Sequence, residues 1–354
     1  MGGGYLASTV RRVPAIVAAG DAKAARAVYG ESKAYLIVAG RTLIARVVSV
    51  LQRVPEVSEV WVVGNAERLA KALDEDTLRS ELVKPLWIVP QYRNLYENAW
   101  FTYRRLLPGA GAEGRDPTPE EEELPVLYLS TDLPFATPQE LSDFVRKGLV
   151  ANVDYALGLV TEHELEAFYP KDGLPGITMA YFNLREGRYR QSNLHLVRPS
   201  KLGNRHYIED MYEHRYQRQV GQALGLAWRI VSDRGGGLRV VFYYGLMHLA
   251  GVLDRHGWRR VADAVRRFLP IQRIERACAA LLRGSFRFVV TGIGGCALDV
   301  DNEQDLDVAR QRYAAWEREL ARVAEEQQGA LLLPPEAGRG LAPRRVLPPG
   351  PQAR

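Results

Sequence analysis

Between residues 13 and 151 the chain alternates short apolar runs with amphipathic stretches of helix length, and this rhythm restricts the fold more than any single motif. The runs are VPAIVAAG (13–20), VSEVWVVGN (57–65), PLWIVPQ (85–91) and VLYLSTD (126–132). Each is too short for a helix and nearly unbroken in apolar residues, as strands covered on both faces are. Helical patterns separate them. One carries Leu43, Val47, Val50 and Leu51 after a turn at Gly40; AERLAKAL and NLYENAWFTYRRLL follow. Strands joined through helices predict a parallel sheet with right-handed crossovers, an α/β fold.

The second half is less regular. ANVDYALGLVT reads as another strand, and GITMAYFNLREGRYRQSNLHLVRP as antiparallel β structure turning near Glu186-Gly187. Helical patterns run from about 204 to 283. FRFVVTGIGGCALDVDNEQDLDVA then predicts a strand, a Gly-rich turn, a short strand and the start of a long helix. Residues 108–124 read as a mobile Pro/Gly/acidic loop, residues 1–12 as a leader, and 329–354 as a disordered Pro/Gly/Arg-rich tail. The domain proper is expected to span 13–320.

Composition excludes several classes. No run of about eighteen apolar residues occurs, so no spanning helix and no membrane partner are expected. The segment MGGGYLASTVRRVPAIVAAG lacks the basic-then-apolar order of a signal peptide. The two cysteines, Cys278 and Cys296, make neither a disulfide framework nor a metal-ligand spacing, which fits a reduced, cytoplasmic setting. The net charge of +5 raises nucleic acid as a partner. The basic excess, however, gathers between Arg255 and Arg287. There WRRVADAVRRFL puts Trp258, Val261, Val265 and Phe268 at helical spacing and Arg259, Arg260, Arg266 and Arg267 largely on other faces. A solvated helix face accounts for that charge, and no nucleic-acid partner is expected.

Three places carry residues suited to chemistry. The first strand ends in AAGDAKAARAVYGESK, where Gly20 lets backbone amides approach a phosphate and Lys33 can neutralise it; a Gly in an ordinary αβ turn looks the same. Asp132 closes an apolar run in LYLSTDLPFATPQEL, at a strand tip where open α/β sheets place ligands. Near the other end, ALDVDNEQDLDVA sets Asp299 and Asp301 on one face of the expected short strand, so a cation or a base must compensate them. Asn302 suits a helix cap, with Glu303, Asp305 and Asp307 in the first turns. His206, Asp210 and His214 share one helix face, but without H-E-x-x-H or a third ligand they read as structural.

Taken in order, VPAIVAAG, Lys33, VAGRTLIARVV, VSEVWVVGN, STDLPFATPQEL and DVDNEQDL resemble the MobA-like NTP transferase family of GT-A-like nucleotidyltransferases. The resemblance covers roughly residues 13–312 and extends to a bacterial subgroup with an arginine- or lysine-bearing hairpin before an S-N-L strand, here YFNLREGRYRQSNLHLVRP. It implies a three-layer α/β/α fold with a mostly parallel central sheet and an acceptor-side β/helical insertion. It also implies a nucleotide-binding half (13–150), an acceptor-side half (151–285) and a closing strand and helix (286–320). The implied partners are an NTP and a phosphorylated small-molecule acceptor, and the implied cofactor is Mg2+ on Asp132 and Asp301, with Asp299 as rival second ligand.

The same resemblance makes Lys33 and Asp132 catalytic, with Ala18, Ala19, Gly20, Asp21, Arg26, Lys33 and Asn98 facing the nucleotide and Asn193 the acceptor. Where the family loop reads A-G-G-x-G-x-R, this chain has Ala18-Ala19-Gly20-Asp21-Ala22-Lys23-Ala24, leaving Lys23 or Arg26 to replace the missing Arg. That departure keeps a catalytically inactive nucleotide-sensing or scaffold protein of the same fold in view. A glycosyltransferase is the other alternative, although STDLP stands where its D-x-D would be.

Overall fold

The computed structural model describes residues 11–21, 27–204, 237–328 and 343–349. Arg26 and the face formed by His206, Asp210 and His214 lie outside the described residues. The strands, in chain order, are β1 (Val13–Ala19), β2 (Ile37–Val38), β3 (Arg41–Thr42), β4 (Val57–Gly64), β5 (Leu86–Pro90) and β6 (Val126–Ser130). They continue with β7 (Tyr155–Thr161), β8 (Phe182–Leu184), β9 (Gly187–Val197), β10 (Phe286–Thr291) and β11 (Arg344–Val346). Strands β2 and β3 pair with each other; the others form a nine-stranded sheet in the order β10-β7-β9-β6-β1-β4-β5-β11, with β8 on β9.

The mixed α/β architecture and mostly parallel sheet expected from the sequence are what the chain adopts. Strand β1 is parallel to both β4 and β6, and β4 to β5. Strand β9 runs antiparallel to both β6 and β7, so β7 and its parallel neighbour β10 point the same way as β6. The ends of β1, β6 and β10 therefore share one edge of the sheet, and β9 begins there.

Alternation along β1 explains the layers. Val13, Ala15, Val17 and Ala19 pack with Ile44, Leu69, Leu141 and Phe144 on one face, whereas Ile16 joins Val63, Val89 and Tyr103 on the other. Helices Leu43–Gln52, Ala66–Ala72 and Pro138–Ala151 thus cover the first face and helix Leu95–Leu106 the second. Each starts on a side-chain cap, from Thr42, Asn65, Thr137 and Asn94, which satisfies an amide the first turn leaves open.

Three segments differ from the sequence reading. Residues 298–301 are irregular, following a 3-10 turn at Gly295–Ala297, rather than a short strand. The reason is that side chains take the backbone groups a ladder would use: Glu140 Oε2 accepts from the Cys296 amide (2.9 Å) and Arg190 Nε donates to the Ala297 carbonyl (2.8 Å). In the 108–124 segment, Arg115 donates to the Pro108 carbonyl (3.0 Å) and to Glu121 Oε2 (2.7 Å) and ties the loop on itself. Part of the C-terminal stretch expected to have little to pack lies along β5 as β11, where Arg344 reaches Asp74 Oδ1 at 2.6 Å and the Leu73 carbonyl at 3.2 Å.

The close approach of β4 to β1 at the functional edge depends on a missing side chain. A Cβ at Gly64 would lie 2.5 Å from the Ala19 carbonyl oxygen and 2.9 Å from Leu69 Cδ1. Gly64→Ala is expected to cost about 1–3 kcal/mol in urea unfolding. Gly111→Ala, where a Cβ meets nothing within 4 Å, should leave the midpoint almost unchanged. Equal midpoints for the two variants would refute this account of the strand packing.

Candidate functional site

Side chains brought from three parts of the chain meet beyond the shared edge. Ser130 ends β6, and two residues later Asp132 stands in the loop, its Oδ1 accepting a short hydrogen bond from the Ser130 hydroxyl. The Asp132 carbonyl accepts from the Val300 amide at 3.0 Å, which clamps the loop after β6 to the loop after β10. Lys33 lies in a 3-10 turn, Lys33–Tyr35, and its Nζ donates to Asp132 Oδ2 and to Asp301 Oδ1, both at 2.7 Å. One ligand atom each from Asp132, Asp299 and Asp301 lies within 4.8 Å of the others.

The charges in this cluster are balanced through side chains. Burial by itself would push the Lys33 ammonium down, but the Asp132 and Asp301 carboxylates outweigh it and hold the group well above its ordinary value. Asp299 is 4% exposed, and its Oδ1 accepts from Arg190 Nη2 at 2.5 Å. Burial raises its carboxyl above the usual range; Arg190 opposes that shift and the neighbouring Asp301 and Asp132 charges reinforce it. Asp301 is held differently. Its amide donates to Asp305 Oδ2 (3.0 Å), and Asn302 Oδ1 accepts from the Asp305 amide (3.0 Å), capping helix Glu303–Gln328 as the sequence predicts.

Behind the end of β1 lies a second polar group. A Cβ on Gly20 would meet Asn98 Nδ2 at 3.4 Å and Gln91 Oε1 at 3.6 Å, so both amide side chains face this glycine. The Asn98 Oδ1 also accepts from the Tyr92 amide (2.6 Å), fixing the turn into helix Leu95–Leu106. The Asp21 amide donates to Gln91 Oε1 (3.1 Å), while the Asp21 carboxylate receives Gln91 Nε2 (2.8 Å) and Arg68 Nη1 (3.4 Å). Arg68 continues to Glu31 Oε1 at 2.6 Å and stacks over the Tyr35 ring, 3.9 Å from its centroid.

The structure therefore brings Lys33, Asp132, Asp299 and Asp301 together, and separately sets Gly20, Asp21 and Asn98 around the end of β1 with Ala18 and Ala19. Asn193 occupies a bulge in β9 with φ 55°, where the pairing of β7 shifts between Leu157 and Leu159. It has no hydrogen bond to the acidic cluster among the described contacts. The sequence reading missed Arg190, Gln91, Arg68 and Glu140. Arg190 lay inside the flagged arginine-bearing hairpin, but strand periodicity does not say which arginine meets an aspartate 109 residues away. Glu140 stands at capping-box spacing from Thr137, and its amide bonds the Thr137 hydroxyl (3.2 Å). Its carboxylate instead leaves the helix and accepts from Thr291 Oγ1 (3.1 Å) and Cys296 N (2.9 Å).

Residues 15–90 match the family described as MobA-like NTP transferase domain, a nucleotidyltransferase class of enzyme. The comparison with curated proteins returns no match. Among solved structures, a hypothetical transferase from Thermus thermophilus is similar at 23% identity and TM-score 0.48, covering 83% of this chain and 99% of its own. A 4-diphosphocytidyl-2C-methyl-D-erythritol synthase from Anaerococcus prevotii is similar at 11% identity and TM-score 0.42, covering 86% of this chain and 99% of its own. A CMP:2-keto-3-deoxy-manno-octonic acid synthetase complexed with CTP is similar at 12% identity and TM-score 0.38, with the same coverages of 86% and 99%.

The lysine bridge has a measurable consequence for stability. Lys33→Met removes the cation that bridges Asp132 and Asp301, and is expected to cost about 1–3 kcal/mol at neutral pH, less than a fully buried pair because Asp301 is partly solvated. Because the folded pKa of Lys33 is raised, its contribution is complete below the unfolded value and is lost only as pH rises through the folded one. The difference between wild type and variant should thus be constant through the neutral range and shrink only in strong alkali, as the ammonium loses its proton. A deficit that stays the same in strong alkali would show that lost packing, not charge, is responsible.

Proposed function

We propose that the protein transfers a nucleoside monophosphate from an NTP to a phosphorylated small molecule, with release of pyrophosphate, at the edge where Lys33 joins Asp132 and Asp301. The observation that carries this reading is that bridge: a largely buried ammonium between two carboxylates, at the end of a parallel sheet, within a stretch of NTP-transferase type. A cation placed between two anions can exchange one of them for a phosphate oxygen without leaving the site.

The donor set fits Mg2+. Every candidate ligand is a carboxylate oxygen, as a hard cation prefers, and two cations, Lys33 and Arg190, stand among three carboxylates. Asp132 and Asp301 would hold the ion. Asp299 is the weaker candidate, because it is the most buried of the three carboxylates. Bound there, Mg2+ would neutralise phosphate charge and orient the triphosphate.

In the reaction a phosphate oxygen of the acceptor attacks the α-phosphorus of the NTP. A new P–O bond forms as the bond from that phosphorus to its bridging oxygen breaks, and pyrophosphate leaves with the electron pair. No redox partner or covalent enzyme intermediate is required. The residues of the chain align and neutralise. Ala18, Ala19 and Gly20 offer backbone to the nucleotide, with Gly20 leaving room beside Asn98; Lys33 meets negative charge on the phosphates; Asn193 and the β9 hairpin border the acceptor.

One observation favours a second reading. The Asp21 amide and carboxylate are both engaged, by Gln91 and Arg68, rather than open to a phosphate. A nucleotide-sensing protein without turnover would tolerate that arrangement. Pyrophosphate release measured with each NTP, Mg2+ and a panel of phosphorylated acceptors separates the two. Release is expected for one NTP–acceptor pair, falling about 10²–10³-fold in Asp132→Asn. Mg2+-dependent NTP binding without release from any pair would sustain the sensing reading, and absence of both binding and release would refute the proposal.

A further inference from the structure

The helices that pack against β8 and β9 are apolar on the side that faces outward. Helix Gly237–Arg255 buries Met247 and Ala250 towards Leu184 and Leu269. Leu238, Phe242, Leu249 and Val252 recur at i, i+4, i+11 and i+14, one stripe on the opposite side, and are 40–61% exposed. The next helix, Arg259–Arg266, continues this surface: Val261 and the flanking Trp258 and Phe268 are 48–63% exposed. The sequence reading gave these apolar positions helical spacing against a solvated arginine face; in the structure Arg259, Arg260 and Arg267 are outside together with Trp258, Val261 and Phe268, while Val265 packs inward and Arg266 is held in ion pairs. A helix with apolar residues on both sides needs a second partner.

Charge says what that partner is. Residues 237–283 contain nine Arg against Asp254, Asp263 and Glu275, a net of +6 when the whole chain carries +5. Asp254 and Asp263 both bond Arg266 (each 2.8 Å), and Glu275 bonds Arg287 (3.1 Å). Among the described contacts no carboxylate meets Arg239, Arg255, Arg259, Arg260 or Arg267, all exposed. On a helical projection Arg239 and Arg255 fall to either side of the 238–252 stripe, and Arg260 and Arg267 lie beside Val261 and Phe268. An apolar strip with tryptophan and phenylalanine, bordered by unpaired arginines, is the composition of a helix surface that lies in a membrane interface.

We infer that this helical face docks on an anionic lipid surface, with the apolar stripe entering the headgroup boundary and the arginines meeting lipid phosphates. A second copy of the chain is the poorer occupant, since pairing like faces would set arginine rows against each other. No helix among the described residues is long and apolar enough to cross a membrane, so the contact is peripheral. The face is anchored to the β8–β9 hairpin: Arg266 Nη2 donates to Asn183 Oδ1 (3.2 Å), and the Arg185 amide to the Leu269 carbonyl (3.0 Å). The hairpin also carries Arg190, which bonds Asp299 in the acidic cluster. The inference does not depend on nucleotidyl transfer.

Co-sedimentation of the full chain with vesicles tests it directly. Vesicles of equal parts phosphatidylcholine and phosphatidylglycerol should pellet the protein, pure phosphatidylcholine should do so far less, and high salt should release it. Arg260→Glu with Arg267→Glu should weaken binding by about tenfold or more. Phe242→Glu with Phe268→Glu should do the same while circular dichroism stays unchanged, since both side chains are already exposed. Failure to bind the mixed vesicles, or equal binding to both kinds, would overturn the inference. So would light scattering that shows a dimer abolished by the phenylalanine changes, or capture by RNA without capture by vesicles.

Discussion

The Nζ of Lys33 bonds carboxylates 99 and 268 residues away, and the arrangement of the functional edge follows from that one ammonium. A charged group so far from water is destabilising unless opposite charges face it, and two aspartates without a cation between them would repel. Lysine and carboxylates therefore need one another in the same place. The turn that carries Lys33, the loop after β6 and the loop after β10 come to a common geometry because none of them can keep its charge alone.

Side chains also do what a sheet ladder does elsewhere. Past Thr291 the chain leaves β10 and runs to the long C-terminal helix without strand partners. Glu140, fully buried, receives Thr291 and Cys296; Arg190 holds Ala297 and Asp299; the Asp132 carbonyl holds Val300. Burial pushes the Glu140 carboxyl up, and the hydrogen bonds it accepts pull it back down. Two of these anchors come from rigid elements, Glu140 from a helix and Arg190 from a paired strand, so an irregular loop presents its carboxylates in a set position.

Charge is distributed with the same economy. At the sheet edge, two cations, Lys33 and Arg190, stand within bonding distance of three carboxylates, which leaves a small negative surplus. The surplus of positive charge sits on the helices over β8 and β9, beside apolar side chains that the fold leaves uncovered. A carboxylate surplus suits a site that would take a divalent cation, and unpaired arginines suit a surface meant to meet something anionic.

Much of this was legible in the residues themselves. Apolar runs of strand length separated by capped helices determine a parallel sheet, because no other arrangement buries such runs on both faces. Lys33 stood out as a charge able to meet a phosphate, Asp132 by its place at a strand tip, and Asp301 with Asp299 as acids that need compensation. Tertiary structure alone decided which charges compensate which. Arg190 rather than a neighbour meets Asp299, Glu140 leaves its capping box for a loop 156 residues away, and Asp21 is taken by Gln91 and Arg68. It also turned Trp258, Val261 and Phe268 outward, although their spacing fits an inward face equally well. Periodicity fixes which residues share a face of an element. Where that face points, and what it meets, is set by packing between segments distant in the chain.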